Sequence, residues 1–332
     1  MDFPFPVLLC DIGGTNARFA LAPEPGAKLQ PGPRLKTAAY PSFEAALAVA
    51  FASFGAKPRS LIACAAGRVA GRSTKLTNAN WSIDGPNVAA ELGLAQGLLL
   101  NDFEAQALAL PALQPGWTTP IGAPVDALAG LQLIIGIGTG LGGAALIEVE
   151  GRHLALPMEP GHVDFGPVGA EETAIWPHID IAAHGRVSAE TILSGQGLVR
   201  LHRARCATAG QAKPSLDEIA LIAQAHAQPD GEAARTLRLI WSLAARRAGD
   251  LAIDLLATGG VTFSGGILPR LIAFLEPQKF RARFEDKAPF GEMMRGIPAR
   301  LIVADDVVLS GMAAIAAAPS AYIVDYGQRA WR

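Results

Sequence analysis

Two stretches of the chain share one pattern of apolar and small positions. In VLLCDIGGTNARFAL (7–21) and LIIGIGTGLGGAAL (133–146) an apolar run meets a turn of Gly and Thr and then resumes, which reads as strand, tight turn, strand. The two begin about 125 residues apart, and each opens a region of its own, so the pattern implies a duplicated α/β architecture. In the first region the strand-like runs FPVLLCDI, RFALAPE, SLIACAAG and GLLLND alternate with the helical runs SFEAALAVAFASF and DGPNVAAELG, followed by a helix in FEAQALALPAL. The Pro- and Gly-rich stretch PGWTTPIGAPVDALAG then breaks the alternation. The second region opens with strands in LQLIIGIG, GAALIEVEG and HLALP and turns helical over roughly 170–257. Ser215 and Glu218 stand at capping-box spacing, a long amphipathic helix runs through EAARTLRLIWSLAARRAGDLAIDLLA, and GGVTFSGGILPRLIAFLE reads strand, glycine turn, helix. ARLIVADD and GMAAIAAA are expected to be a strand and a helix that return to the first region. The expected division is a small α/β domain, 1–111 plus 304–332, and a large one, 112–303, as two lobes with a cleft between them.

Composition narrows the function classes. Half of the 332 residues are apolar, the net charge is −2 and the pI is near 6.3. Lys and Arg are scattered singly, so nothing resembles the basic stripe that nucleic acid requires. Residues 127–147 are uncharged over nearly the length that spans a bilayer, but Gly136, Gly138, Gly140, Gly142 and Gly143 argue against a membrane helix. Cys10, Cys64 and Cys206 form neither a CxxC pair nor an even set, and no signal-like segment opens the chain, so a cytoplasmic protein is expected.

The glycine turns carry the candidate chemistry. A tight turn between strands frees backbone N–H groups to point at an anion, and Thr15 and Thr139 add hydroxyls. Two such turns suit a polyphosphate, and Asp11, an acid closing a buried run, suits the magnesium that accompanies phosphates, reached through water. A Walker A loop is excluded because the chain contains no Gly-Lys pair. Gly138, Gly140 and Gly143 fit GxGxxG, but the strand-like AALIEVEGRH follows where a dinucleotide fold needs a helix. Asn101 and Asp102 end the run GLLL before a helix; either serves as an N-cap, and a carboxylate at the carboxyl end of a buried strand also suits the base that takes a hydroxyl proton during phosphoryl transfer. Glu159, His162 and Glu190 add the mixture of acceptors and donors that a polyhydroxyl ligand needs. The other five histidines lack zinc-ligand spacing. Gly265 and Gly266, between a strand and a helix, allow either an ordinary βα turn or the close approach of an adenosine.

The order of these motifs resembles the bacterial glucokinases of the hexokinase superfamily, which have the two-lobe, ribonuclease-H-like, actin-like ATPase fold. The matching segments are DIGGTNAR, TNANW, LNDFEA, GTGLGGA, EPGHVDF, VSAETILSGQGL, SGGILPR, FEDK and DDVVLSGMAA, spread over nearly the whole chain. The resemblance implies ATP-dependent phosphorylation of glucose to glucose 6-phosphate. It implies ATP at Cys10, Asp11, Ile12, Gly13, Gly14, Thr15, Gly138, Thr139, Gly140, Gly265 and Gly266, and Mg2+ near Asp11. It implies glucose at Asn101, Asp102, Glu159, His162 and Glu190, with Asp102 as general base, and a homodimer. The related ROK proteins (repressors, open-reading-frame kinases) carry a cysteine-rich zinc loop after their Gly-His; here VDFGPVGAEETAIW contains no cysteine, and zinc is not expected. Pro160 stands where a glycine is usual, Gln196 where a proline is usual, and ACAAGRVAG lacks a usual proline. These departures leave open a kinase for another hexose or amino sugar, or a silent sensor of sugar and ATP.

Overall fold

The computed structural model describes residues 2–67, 69–76, 80–181 and 185–331. Thr77, Asn78 and Ala79 of the TNANW motif, with Arg68 and His184, lie outside the described residues.

The chain starts with an antiparallel pair, β1 (Val7–Ile12) and β2 (Asn16–Ala22), in register so that Asp11 faces Arg18. β3 (Gln30–Lys36) pairs with the free edge of β2, and α1 (Phe43–Ala52) starts where Ser42 Oγ accepts the Ala45 N–H. β4 (Ser60–Ala65) runs parallel to β1, and the short strands β5 (Val69–Ala70), β6 (Ser73–Lys75) and β7 (Ser82–Asp84) form a separate small sheet. Asp84 caps α2 (Gly85–Leu92), which stops at Gly93 with φ +65°. β8 (Gln96–Asn101) lies parallel to β4 and leads directly into α3 (Asp102–Leu108). β1 and β4 have parallel or antiparallel neighbours on both edges, and their apolar residues are fully buried, as expected for continuous apolar runs covered on both faces.

Next come β9 (Thr118–Pro120), β10 (Gln132–Ile137), β11 (Leu141–Val149) and β12 (Arg152–Met158). The helical region holds α4 (Gly169–Ile175), α5 (Ala189–Ile192), α6 (Gly195–Thr208), α7 (Glu218–Ala227) and the long α8 (Glu232–Asp254). β13 (Gly260–Ser264), α9 (Pro277–Glu285), α10 (Gly291–Arg295) and β14 (Ala299–Ile302) follow. The chain closes with α11 (Val307–Ala317), α12 (Tyr326–Arg329) and β15 (Ala330–Trp331).

Both large sheets obey one topology. Their orders are β3-β2-β1-β4-β8-β15 and β12-β11-β10-β13-β14-β9, so each has a first strand flanked by its hairpin on one side and two parallel strands on the other. Even the sixth strand corresponds, since β15 and β9 each cap the edge antiparallel. The duplication legible in the two glycine hairpins therefore extends through six strands.

The chain divides into two compact units, Met1–Trp117 with Leu146–Leu156 and Ala304–Arg332, and Thr118–Ala145 with Pro157–Val303. The first crossing falls inside PGWTTPIGAPVDALAG, six residues later than the 111/112 boundary read from the sequence. The tip of the β11–β12 hairpin groups with the first unit because its partners are there: Arg152 donates to the Ser320 and Tyr322 carbonyls, the His153 carbonyl accepts the Ile323 N–H at 2.8 Å, and the two rings meet at 5.7 Å. Three local expectations change. ARLI stays in the second sheet as β14 rather than returning to the first unit. Asp217, not Ser215, caps α7, accepting the Ala220 N–H at 2.8 Å. Leu268–Phe274 is a 3-10 turn rather than an α-helix, with Pro269 lacking an N–H and Trp241 Nε1 donating to the Leu271 carbonyl.

Candidate active site

In the first unit the turn after β1 closes with the Gly13 N–H donating to the Asn16 carbonyl at 2.9 Å. Buried Thr37 staples the bend from behind: its Oγ1 donates to the Gly14 carbonyl at 2.8 Å and its N–H to the Thr15 carbonyl at 3.0 Å. The carbonyls of the turn are thus occupied. Asp11 is held by the Arg18 guanidinium opposite it in the ladder, while its other oxygen accepts the Cys64 thiol proton at 3.5 Å. Arg18 also donates to the Asp305 carbonyl at 2.8 Å. The acid at the end of the buried strand therefore has a cross-strand cation in this structure, which accounts for its burial. Burial and the neighbouring Asp11 carboxylate push the Cys10 and Cys64 thiols well above their usual range, so both are neutral thiols rather than nucleophiles, and Cys64 serves as a hydrogen-bond donor to Asp11.

Asp102 follows β8 as the first residue of α3. Asn101 is the cap: its Oδ1 accepts the Phe103 and Glu104 N–H groups at 3.0 and 3.2 Å, and the Glu104 carboxylate reaches back to the Asn101 N–H at 3.3 Å. The Asn101 Nδ2 donates to the Gly67 carbonyl at 3.1 Å and to Asp102 Oδ1 at 2.9 Å. All four bonding positions of the Asn101 amide are used inside the protein, so here it orients the aspartate. Burial lifts the Asp102 pKa from 3.8 to about 6, with the nearby Asp11 charge adding and the Phe103, Asp102 and Asn101 donors opposing. At neutral pH about nine carboxyls in ten are ionised, which is the state a general base requires.

In the second unit the matching turn closes with the Gly138 N–H on the Gly140 carbonyl at 2.9 Å. The Glu190 carboxylate accepts the Leu141 N–H at 2.8 Å and lies against Gly140, where a Cβ would come within 2.4 Å of Glu190 Oε2. The 14-residue helix α6 begins at the same place: its Gly195 N–H donates to the Gly138 carbonyl at 2.9 Å, and Ser194 Oγ caps it through the Gly197 N–H. Gly265 has φ +91°, and a Cβ there would meet the Ile137 carbonyl oxygen at 2.4 Å; the Ile267 N–H donates to that carbonyl at 3.2 Å. Gly138–Gly140, Gly265–Gly266 and the N-terminus of α6 therefore come together at one turn, an arrangement of backbone donors and positive dipole suited to phosphate oxygens, while the Glu190 carboxylate beside it is an acceptor. Gln196 sits exposed in the first turn of α6, its amide oxygen taken by Arg200, so the missing proline leaves the cap intact.

Glu159 and His162 lie on the loop after β12 with largely exposed side chains, 82% and 59%, and 3.9 Å apart. Gly161 brings this loop against Leu141 and Glu190, since its Cβ would meet the Leu141 carbonyl at 2.3 Å and the Glu190 Cβ at 3.2 Å. Three arginines that the sequence reading missed hold the loop's carbonyls: Arg247 that of Pro160 at 3.1 Å, Arg186 that of His162 at 2.6 Å, and Arg246 that of Gly166 at 3.0 Å. Arg246 and Arg247 are buried on α8, and the visible signal was a pair of cations within a long helix whose other core-facing positions, Thr236 aside, are apolar or glycine. Among the described residues no three His, Cys, Asp or Glu side chains gather as a metal cage. No described helix is long and apolar enough to cross a membrane.

The repeated sheet, with a glycine turn after the first strand of each copy, defines the ribonuclease-H-like fold shared by actin-like ATPases and hexokinases. A solved glucokinase from an Antarctic psychrotroph superposes with TM-score 0.82 at 29% identity over 94% of this chain and 98% of that one. A glucokinase from Balamuthia mandrillaris, solved in complex with glucose, gives TM-score 0.78 at 23% identity over 93% of each chain and shows the fold again. The chain belongs to the glucokinase family: the family profile Glucokinase matches residues 8–319, and the glucokinase of Brucella suis is 40% identical over 333 residues, covering 100% of this chain and 96% of that protein.

Proposed function

We infer that the chain is an ATP-dependent glucokinase that converts glucose to glucose 6-phosphate. The observation that carries the reading is Asp102: a carboxylate at the end of a central strand, its pKa lifted to about 6 and one oxygen fixed by Asn101, within a chain that matches the glucokinase family along its length. In this reading the 6-hydroxyl oxygen forms its bond to the γ-phosphorus as the bond from phosphorus to the β–γ bridging oxygen breaks, ADP leaves, and the hydroxyl proton passes to the Asp102 carboxylate. The backbone N–H groups of Gly14 and Thr15 in the first unit, and of Thr139 and Gly140 in the second, are assigned to phosphate oxygens, with Gly265 and Gly266 beside the adenosine. Glu159, His162 and Glu190 are assigned to sugar hydroxyls.

The donor set fits a magnesium ion that arrives on the phosphates, since such an ion keeps most of its waters and needs few protein ligands: Asp11, whose Oδ1 meets only the Cys64 thiol among the described residues while Oδ2 is held by Arg18, would hold it through water, and the ion would neutralise phosphate charge. A homodimer, a cytoplasmic location and a glycolytic role are further parts of the proposal. The free, buried state of Cys10, Cys64 and Cys206 supports a reducing compartment. Purified protein with glucose, ATP and Mg2+ should yield glucose 6-phosphate in a dehydrogenase-coupled assay and lose the activity on chelation. Product from mannose or glucosamine but not from glucose would replace the assigned substrate, and no product from any sugar would leave a sensor.

A further inference from the structure

The C-terminal residues 325–331 contain neither a glycine turn nor the base, yet they reach the segment that carries Asp102 from two directions. β15 pairs antiparallel with β8, Ala330 opposite Leu98 and Trp331 opposite Gly97, and β8 is the strand that ends in Asn101. The Trp331 ring is buried in a slot left open by two glycines: a Cβ at Gly97 would come within 2.2 Å of it, and one at Gly85 within 2.4 Å. The tail is thereby anchored by shape. One turn earlier, Asp325 caps α12 through the Gln328 N–H at 3.1 Å, and Arg329 Nη1 donates to both oxygens of Glu104 at 2.5 Å. Glu104 is buried, and Arg329 is its ion-pair partner. The same carboxylate accepts the Asn101 N–H, and Asn101 Nδ2 holds Asp102 Oδ1.

We propose that Arg329, set in place by the Trp331 anchor, is a positioning residue for phosphoryl transfer: it balances and orients Glu104, which fixes Asn101 and so the direction of the Asp102 carboxylate. The proposal rests on the reading of Asp102 as the base. Truncating Arg329 leaves a buried anion without its counter-ion on the same helix turn as Asp102. Among the described residues the other ionisable groups facing Asp102 are Asp11 on β1 and Cys64 on β4, with Cys10 beside them, and α11, which packs on α3, carries no ionisable side chain. An extra unbalanced anion disfavours ionisation of Asp102, and a misdirected carboxylate slows the transfer.

The test is steady-state kinetics of the full chain as Arg329→Met, Arg329→Lys and Arg329→Met with Glu104→Gln. Arg329→Met should lower kcat by about tenfold to a hundredfold, leave the KM for ATP near its wild-type value and move the acid limb of the kcat profile to higher pH. Arg329→Lys should recover most of kcat. The doubly neutral variant, which keeps an oxygen for the Asn101 N–H, should return the limb to its wild-type position and stands in if Arg329→Met does not fold. A wild-type kcat and limb in Arg329→Met, or a limb that stays displaced in the doubly neutral variant, overturns the proposal. Asp102→Asn assayed in parallel separates the two readings: if it retains kcat, the base assignment fails, whereas if it is inactive while Arg329→Met is normal, only the positioning role fails.

Discussion

Asp102→Asn should make the protein more stable, and by an amount that depends on pH. The folded state holds this carboxyl at a pKa of about 6 against 3.8 in an open chain, with burial as the main cause. A raised folded pKa means that the stability contribution is fully present below pH 3.8 and is lost as pH climbs through 6. The difference of about 2 units corresponds to about 3 kcal/mol at 1.36 kcal/mol per unit. Asparagine does not titrate, and its Oδ1 can still accept the Asn101 Nδ2 bond seen at 2.9 Å. The ligand-free variant and wild type should therefore unfold together near pH 4, and above pH 6 the variant should be ahead by about 3 kcal/mol, or roughly 5 °C in Tm. Thermal unfolding of both proteins between pH 4 and 8 reads this directly. A Tm difference that stays flat across the range, or a variant less stable than wild type at pH 7.5, would refute the assignment of a buried, strained carboxylate.

Asp11→Asn removes the negative charge that helps raise the Asp102 pKa, so the acid limb of kcat/KM should move below pH 6 while the KM for magnesium-ATP rises, both read from pH-rate profiles. Glu190→Gln weakens the acceptor for the Leu141 N–H and a charged partner for the sugar, and the KM for glucose should rise by the equivalent of about 1–3 kcal/mol in a coupled assay. Gly265→Ala forces a side chain onto a residue at φ +91° and against the Ile137 carbonyl, costing about 1–2 kcal/mol for the dihedral alone and raising the KM for ATP more than that for glucose.

The hairpins and the central strands were legible because a parallel strand covered on both faces is a near-continuous apolar run, and VLLCDI, SLIACA and QLIIGI are apolar apart from Asp11, Ser60 and Gln132 at or next to their ends. The duplication was visible only in its glycine turns; the antiparallel sixth strands are two or three residues long and carry no periodic signal. At the candidate site, the residue types of Asp102, Glu190 and the glycines could be read from sequence, but not their partners. Arg18, Thr37 and Arg247 meet Asp11, the Gly14 carbonyl and the Pro160 carbonyl from 7, 23 and 87 residues away, distances at which no local pattern reports contact. Asn101 shows the same limit from the other side, since cap and ligand are indistinguishable in LNDFEA and only the four bonds to its amide reveal what it does here. The C-terminal YGQRAWR was silent because its anchor depends on space left by Gly85 and Gly97.

Single-turnover formation of glucose 6-phosphate by wild type and Asp102→Asn at pH 7.5, with glucose binding measured by calorimetry on the same samples, tests the central claim most directly. A glucokinase whose base is Asp102 should lose about a hundredfold to ten-thousandfold in the transfer rate on this substitution while glucose affinity changes only a few-fold. A variant that transfers phosphate at close to the wild-type rate would contradict it.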